Sequence, residues 1–321
     1  PCTSLPPVTS VESLQAKLDV IQPKAHVDFL LWGGVSANTM AEAGWEEALE
    51  ELVGAGVASI KLYMLSGMDT FRDLSHPAME AALGEAARLG IPVGVHAEDR
   101  EMVHLLESRL RGSGKDEPLD YATSRPAACE VSAVETLRDL CRKTGARVHV
   151  VHVACGGALE VIRKAREEGL PMTGETCPHF LEFTSDDLDV QGGLLKTAPG
   201  VKSAWDRDQL WEGLRDGSLE YVATDHAAGQ WPEEKTTGSI WTDYGGVPGV
   251  ELSRPYLYSE GVRKGRIDLE RLTQITAEAP ARFFGIGHRK GAISPGLDAD
   301  LVVFDETENW TVRGERLHNL N

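Results

Sequence analysis

Short apolar runs alternate with amphipathic stretches along most of the chain. The runs are rich in β-branched residues and predict six strands, over 26–32, 58–64, 92–96, 147–153, 171–176 and 219–224. Apolar positions at helical spacing predict helices over 11–21, 41–53, 77–89, 134–143 and 158–168. Regular strand-then-helix alternation is typical of parallel βαβ units, so the pattern predicts an α/β fold. Six such strands suit either an open parallel sheet or part of a (β/α)8 barrel.

Two local features refine this prediction. The Gly33-Gly34 pair after the first predicted strand is too short for a glycine-rich phosphate loop, which disfavours a dinucleotide-binding open sheet. Near the C-terminus, a helix predicted over 269–284 is followed by a turn and a strand within 290–304. No second strand is predicted near it in the chain, so this strand needs a partner from elsewhere.

Charge and cysteine usage exclude several classes of protein. The 321 residues include 32 Lys and Arg and 50 Asp and Glu, and the resulting net charge of −18 argues against a nucleic-acid partner. No apolar run approaches the roughly 20 residues that a membrane helix needs, and the first residues lack the pattern of a secretory signal. The five cysteines are scattered without a CxxC pair, so neither a disulfide framework nor a zinc ribbon is expected. We therefore expect a cytoplasmic protein without nucleic-acid or membrane partners.

Four polar residues occupy the C-terminal ends of four different predicted strands: Lys61, His96, His152 and Asp225. In a barrel of parallel strands, these ends form the mouth of the active site. A lysine inside an apolar strand is costly unless its charge is paired or neutralised. Histidine and aspartate are common ligands of divalent metals. Together, the four residues suggest a hydrolytic metal site.

Each of these residues has an ordinary structural explanation when it is taken alone. A strand histidine is usually a hydrogen-bonded core residue, Lys61 could extend its ammonium group from a strand end, and Asp225 could cap the following helix. His149 and His152 lie three apart on one strand, so their side chains face opposite sides of it. We choose His152, nearer the strand end, as the site residue and expect His149 to pack in the fold.

An ordered set of motifs resembles the cyclic amidohydrolases of the amidohydrolase superfamily, which include allantoinases, hydantoinases (dihydropyrimidinases) and dihydroorotases. The matching segments run through nearly the whole chain: 60–64 (IKLYM), 95–98 (VHAE), 122–126 (ATSRP), 151–153 (VHV), 175–179 (ETCPH), 224–226 (TDH) and 296–303 (GLDADLVV). Each segment alone is a weak signal. Their order along one chain makes the set specific.

The resemblance implies a (β/α)8 barrel that holds two divalent metal ions bridged by a carboxylated lysine. Lys61 matches that lysine, and His96 and His152 match the ligands of the second metal. Asp225 matches the aspartate that binds the first metal and serves as the general base. Zinc is the expected metal, with manganese, cobalt or iron as alternatives. The resemblance also implies a small cyclic amide as substrate and assembly into a homodimer or homotetramer.

One part of the family pattern does not occur in this sequence. The family carries a His-x-His pair at the end of its first strand as ligands of the first metal, and no such pair is present here. We expect the chain to lack both ends of a complete enzyme. Residues 1–288 would form a barrel without its first strands, and residues 289–321 part of a small composite β domain. The alternative hypothesis is a non-catalytic barrel that acts as a scaffold without the His-x-His ligands.

Local segments favour the allantoinase branch of the family. Residues 65–71 resemble the allantoinase pattern Ser-Gly-x-Asp-x-Phe, with Ser66 about where hydantoinases use a tyrosine. Ala198 stands where dihydroorotases carry an asparagine. Residues 246–251 lie nearer to the hydantoinase pattern. We therefore predict the opening of allantoin to allantoate, with hydantoinase (dihydropyrimidinase) or dihydroorotase activity as the alternative.

The resemblance places two further residues at the substrate. Arg125 lies in a Ser-Arg-Pro segment that allantoinases and hydantoinases share, and it could hold a carbonyl or carboxylate group or brace a loop. His179 lies in the Cys-Pro-His segment near the site, where it could contact the substrate or serve a structural role. With Ser66 and Ala198, they complete the predicted set of substrate-binding residues.

Overall fold

The computed structural model describes residues Ser4–Asn319, in which six parallel strands alternate with helices. The strands are β1 Trp32–Gly34, β2 Ser59–Tyr63, β3 Val93–His96, β4 Val148–Val150, β5 Met172–Thr176 and β6 Tyr221–Val222. The α-helices are α1 Val11–Ile21, α2 Ala37–Met40, α3 Trp45–Gly54, α4 His76–Leu89, α5 Arg100–Gly112, α6 Pro118–Ser124, α7 Ala127–Thr144, α8 Gly156–Glu167, α9 Pro178–Glu182, α10 Ser185–Gln191, α11 Ala204–Asp216, α12 Ser253–Tyr256, α13 Leu269–Thr273 and α14 Ala279–Phe283. Short 3₁₀ helices cover Gly192–Leu195 and Gly314–Arg316, and π-helical turns cover Leu257–Val262 and Gln274–Glu278.

Each strand pairs in parallel with the next strand along the chain, so the hydrogen-bonded order is β1-β2-β3-β4-β5-β6. In this register Lys61 lies opposite Gly34 and Gly94, and Tyr63 lies opposite His96. The strand residues are almost all buried, which agrees with their near-continuous apolar sequences. The alternation of parallel strands and helices confirms the predicted α/β class.

The described chain forms two compact units, each with its own apolar core. The first unit comprises the described residues up to Val103, Ala128–Val151 and Glu160–Gly174, and the second comprises His104–Ala127, His152–Leu159 and the described residues from Glu175 onward. Fully buried side chains of the first unit include Leu52, Leu62, Phe71, Met79, Leu83, Val93 and Val95. Those of the second unit include Leu159, Leu181, Leu188, Leu210, Leu214 and Leu219.

Short polar side chains define where several helices begin. Helix α1 starts after Ser10, whose hydroxyl accepts the N–H of Ser13 while the Ser13 hydroxyl accepts the N–H of Ser10. Helix α11 starts with the same reciprocal arrangement between Ser203 and Asp206. Asp206 also accepts the N–H of Gly156 at 3.0 Å, which ties the start of α8 to the start of α11.

Two strand predictions were wrong. The predicted strand over 26–32 starts only at Trp32 and continues through two glycines, because the backbone pairs with β2 from that residue onward. The strand predicted within 290–304 does not form, and the side chains of Leu301–Phe304 are exposed. The predicted helix over 269–284 forms as α13 and α14 with a π-helical turn between them. In the described part of the chain, no helix is long and apolar enough to cross a membrane.

Candidate active site

In the first unit, Lys61 and His96 meet at one aromatic ring. The Lys61 Nζ lies 4.7 Å from the centre of the Tyr63 ring, and the His96 ring stacks on the same tyrosine at 5.2 Å between centroids. Lys61 and Tyr63 are two residues apart on β2 and share a face of the strand. Lys61 is only 7% exposed and His96 only 4%, so both polar groups are buried. The structure therefore brings these two predicted metal ligands together.

The buried carboxylate of Glu98 lies beside His96. Its Oε2 is 2.8 Å from His96 Nε2, and the residue is fully buried. A carboxylate in this position fixes the orientation and tautomer of an imidazole ring. Glu98 belongs to the Val-His-Ala-Glu segment at 95–98, and the family resemblance assigned it no role. Its spacing of two residues from His96 was the signal that could have identified it.

In the second unit, His152 and Asp225 share an unusual backbone conformation. Both have a φ of +45°, and no other non-glycine residue within Ser4–Asn319 has a positive φ. Each lies just beyond the C-terminal end of a strand, His152 after β4 and Asp225 after β6. The left-handed conformation costs roughly 1–2 kcal/mol for a residue with a side chain. Such residues cluster at functional sites, where the surrounding structure holds them in place.

His179 is a buried histidine with one unused ring nitrogen. It is 6% exposed, its ring packs against Phe180 at 4.2 Å, and its Nε2 has no hydrogen-bond partner in the described part of the chain. Burial lowers the pKa of His179 to about 3, so the ring is neutral near pH 7. A neutral imidazole can either donate or accept a hydrogen bond at the unused nitrogen.

The remaining predicted substrate residues lie in loops. Ser66 uses its hydroxyl to close its own loop, donating to the Phe71 carbonyl at 2.7 Å and accepting the Met68 N–H at 3.2 Å. The half-buried Arg125 places its guanidinium carbon 5.3 Å from the centre of the Tyr121 ring. Ala198 is half-buried in the segment that follows Lys196.

The second unit contains two buried lysines that the sequence pattern did not predict to be functional. Lys196 is 7% exposed and Lys235 only 1% exposed. Burial lowers the pKa of each of these lysines from its usual value to about 8, so both remain mostly protonated at pH 7. A single lysine within the polar sequence Glu-Glu-Lys-Thr-Thr carries no pattern that marks it as buried.

Known proteins match this chain over nearly its whole length. A family model described as "Amidohydrolase family" matches residues 38–317. An allantoinase of Rubrobacter xylanophilus is 35% identical over 319 residues, which are 99% of this chain and 68% of that protein. An L-hydantoinase of Paenarthrobacter aurescens is 31% identical over 321 residues, which are 99% of this chain and 69% of that protein.

A solved structure shows the same fold. The structure of an L-hydantoinase (dihydropyrimidinase) from Arthrobacter aurescens aligns with a TM-score of 0.87 at 31% identity. The alignment covers 92% of this chain and 64% of that chain. This chain therefore spans about two thirds of the length of the relatives it matches. The shared fold confirms the predicted α/β barrel class.

Proposed function

Because this chain belongs to the amidohydrolase family, we propose that it is a metal-dependent hydrolase that opens a cyclic amide or ureide ring, with allantoin as the substrate. The observation that carries the proposal is that two residues of the family motifs also have a rare backbone conformation. His152 and Asp225, two of the four predicted ligands, are the two non-glycine residues with a left-handed backbone in the described chain. The names of the relatives, allantoinase at 35% identity and L-hydantoinase at 31%, support the reaction class.

The side chains of the predicted ligand set suit divalent metal ions. Imidazole and carboxylate groups accept zinc, manganese, cobalt and iron, and we propose zinc first. The proposed ligands of a two-metal site are Lys61, His96, His152 and Asp225. Lys61 fits as a carboxylated lysine, because its neutral amine can add carbon dioxide at Nζ with release of a proton, and the anionic carbamate then replaces a buried ammonium ion. Glu98 fits the carboxylate that commonly accompanies a metal-binding histidine.

Asp225 is the proposed proton carrier of the reaction. When bound, divalent metal ions lower the pKa of water and polarise the carbonyl group of the ring amide. The Asp225 carboxylate would take a proton from the attacking water as the water oxygen bonds to the carbonyl carbon of the ring. The C–N bond then breaks, and Asp225 passes the proton to the leaving nitrogen. The exposed position of Asp225 just beyond a strand end leaves its carboxylate accessible to both groups.

The substrate would be recognised by one charged group, one neutral imidazole and two small side chains. The Arg125 guanidinium can donate to a carbonyl oxygen. His179 can offer its unused ring nitrogen to a ureide group. Ser66 and Ala198 keep the space beside the ring free of bulk, since the Ser66 hydroxyl is already used within its loop.

A panel of four cyclic substrates tests the proposed reaction. The purified chain, supplied with zinc or manganese, is assayed for ring opening of allantoin, hydantoin, dihydrouracil and dihydroorotate. We expect turnover of allantoin. Faster turnover of hydantoin or dihydrouracil would move the assignment to the hydantoinase branch. The absence of turnover with all four would contradict the proposal that this chain, which has no His-x-His pair, is catalytic by itself.

The ligand assignment is tested by metal content. Lys61→Ala should abolish tight, stoichiometric metal binding, because the bridging ligand is lost. Lys202→Ala is the matched control, since Lys202 is also buried, at 9% exposed, and its Nζ donates to the Arg125 carbonyl at 2.6 Å without a proposed metal role. Retention of stoichiometric metal in the Lys61 variant, measured by elemental analysis after dialysis, would remove Lys61 from the site.

A further inference from the structure

A long loop begins at the proposed proton carrier. Residues 223–252 connect β6 to α12 with turns and without a helix or strand, and Asp225 lies at the start of this loop. A loop of this length in a compact unit is usually functional or disordered. Since this loop has no helical or strand hydrogen bonding, side-chain and turn hydrogen bonds must define its conformation.

Lys235 ties three separate points of the second unit together. Its Nζ donates to the carbonyl oxygens of Gly193 at 3.2 Å and Tyr244 at 3.0 Å, and to that of Gly246. An ammonium group has three hydrogens, and three carbonyl groups accept them. The Lys235 side chain is only 1% exposed, so water does not reach its ammonium group. Loss of the bonds to the carbonyl groups would leave a buried charge without partners, which is costly. The loop is therefore folded around a buried cation.

A second buried lysine holds the same loop. The Lys196 Nζ donates to the carbonyl oxygens of Trp241 at 3.2 Å and Asp243 at 2.7 Å. The backbone carbonyl of Lys196 in turn accepts the Gly246 N–H at 2.9 Å. Gly246 is thus held on both sides, through its carbonyl by Lys235 and through its N–H by Lys196.

The segment that these lysines hold is bonded to the residues directly after Asp225. The Ala227 N–H donates to the Val247 carbonyl at 3.0 Å, and the Gly249 N–H donates to His226 Nδ1 at 3.1 Å. A left-handed backbone such as that of Asp225 persists only where its surroundings determine it. The two residues that follow Asp225 are fixed by residues 247–249, and those residues begin one position after Gly246.

We propose that Lys235 is a positioning residue for Asp225: its buried ammonium group fixes Gly246, and the adjoining segment fixes the backbone that aims the Asp225 carboxylate. The proposal rests on the function proposed above for Asp225. Lys235 acts through the loop and takes no part in the reaction itself.

Amide hydrogen exchange followed by mass spectrometry tests the structural part. In Lys235→Met, exchange of the peptides that contain Ala227 and Gly249 should accelerate by at least about tenfold relative to the wild type. Lys235→Gln, which keeps two N–H donors, should show a smaller acceleration and provides a second variant if the methionine form folds poorly. Unchanged exchange at these peptides would overturn the proposal.

Arg271→Met is the matched control. The Arg271 guanidinium also ties backbone segments together, donating to the carbonyls of Leu214 and Leu219, but it makes no bond to the 223–252 loop. This variant should unfold at a lower urea concentration while exchange at Ala227 stays as in the wild type. Equal acceleration in both variants would show general loosening and would contradict a specific role for Lys235.

Kinetics test the positioning part. Lys235→Met should lower kcat about tenfold or more with little change in KM, and it should have no further effect in an Asp225→Asn background. Additive losses in the double variant would overturn the positioning role. If the wild-type chain shows no turnover, the proposed function fails, and the exchange comparison alone then decides whether Lys235 fixes the backbone after Asp225.

Discussion

Replacing Gly94 by alanine probes the packing beside Lys61. A Cβ atom at this position would lie 2.2 Å from Cζ3 and 2.7 Å from Cη2 of Trp32, and 3.1 Å from Cγ1 of Val151. Distances below 3.0 Å are not tolerated, so either the indole ring or the strand must move. Gly94 lies within the buried strand β3, paired with Lys61 on β2, and the strand has little freedom to shift.

The expected cost follows from overpacking. Adding one methyl group to a tightly packed core typically destabilises by about 1–3 kcal/mol. For a chain of 321 residues, each kcal/mol lowers the melting temperature by about 1.5 °C. Urea unfolding followed by circular dichroism and by tryptophan fluorescence measures the loss directly. The midpoint should fall while the slope of the transition is retained.

The same substitution elsewhere in the first unit provides the control. Gly84 lies within helix α4, and a Cβ there would meet no atom within 4 Å. Gly84→Ala should therefore stabilise by about 0.5–1 kcal/mol, because alanine is the better helix former. Trp32→Leu should remove most of the cost of Gly94→Ala in the double variant. A Gly94→Ala protein that unfolds at the wild-type urea concentration would refute the packing argument.

Two further predictions concern the second unit. Asp206→Ala should lower the free energy of unfolding in urea by about 1–3 kcal/mol, because the Gly156 N–H loses its buried acceptor. The control is Asp208→Ala at an exposed position, which should change the free energy of unfolding by less than about 0.5 kcal/mol. His179 should make stability depend on pH. Because burial lowers the pKa of His179 to about 3, its contribution is complete above the unfolded value of roughly 6.5 and is lost as the pH falls toward 3. His179→Gln should flatten this dependence in urea titrations, and equal slopes for both proteins would contradict the assignment.

Buried parallel strands were the most predictable part of the fold. Strands β2 to β5 follow apolar, β-branched runs, and each lies within the predicted range. The error at β1 has a local cause, because glycines usually end a strand and here they are required within one. A Cβ on Gly34 would lie 2.6 Å from Cζ of Phe71, so only glycine allows this approach. The strand predicted at Leu301–Phe304 has suitable composition, but a strand also needs a neighbour to accept its hydrogen bonds.

Site residues could be predicted from the sequence where a polar residue lies at the end of an apolar strand. Lys61 and His96 are of this kind, since a polar side chain within an apolar run is visible in the sequence. The contact of both with Tyr63 was not predictable, because it depends on the register of β2 against β3. Lys235 was not predictable either. Its importance comes from three distant carbonyl groups that no pattern in the sequence connects.

The backbone at His152 and Asp225 sets a limit on how far this chain can be stabilised by protein engineering. Glycine adopts a positive φ without steric cost, so a sequence optimised for folding alone would favour glycine at both positions. Glycine carries neither an imidazole nor a carboxylate, and such a chain would gain stability while losing two proposed ligands. The trade-off between stability and activity is therefore concentrated at two strand ends. Stabilising substitutions are better placed at open helical positions such as Gly84, where no chemistry is lost.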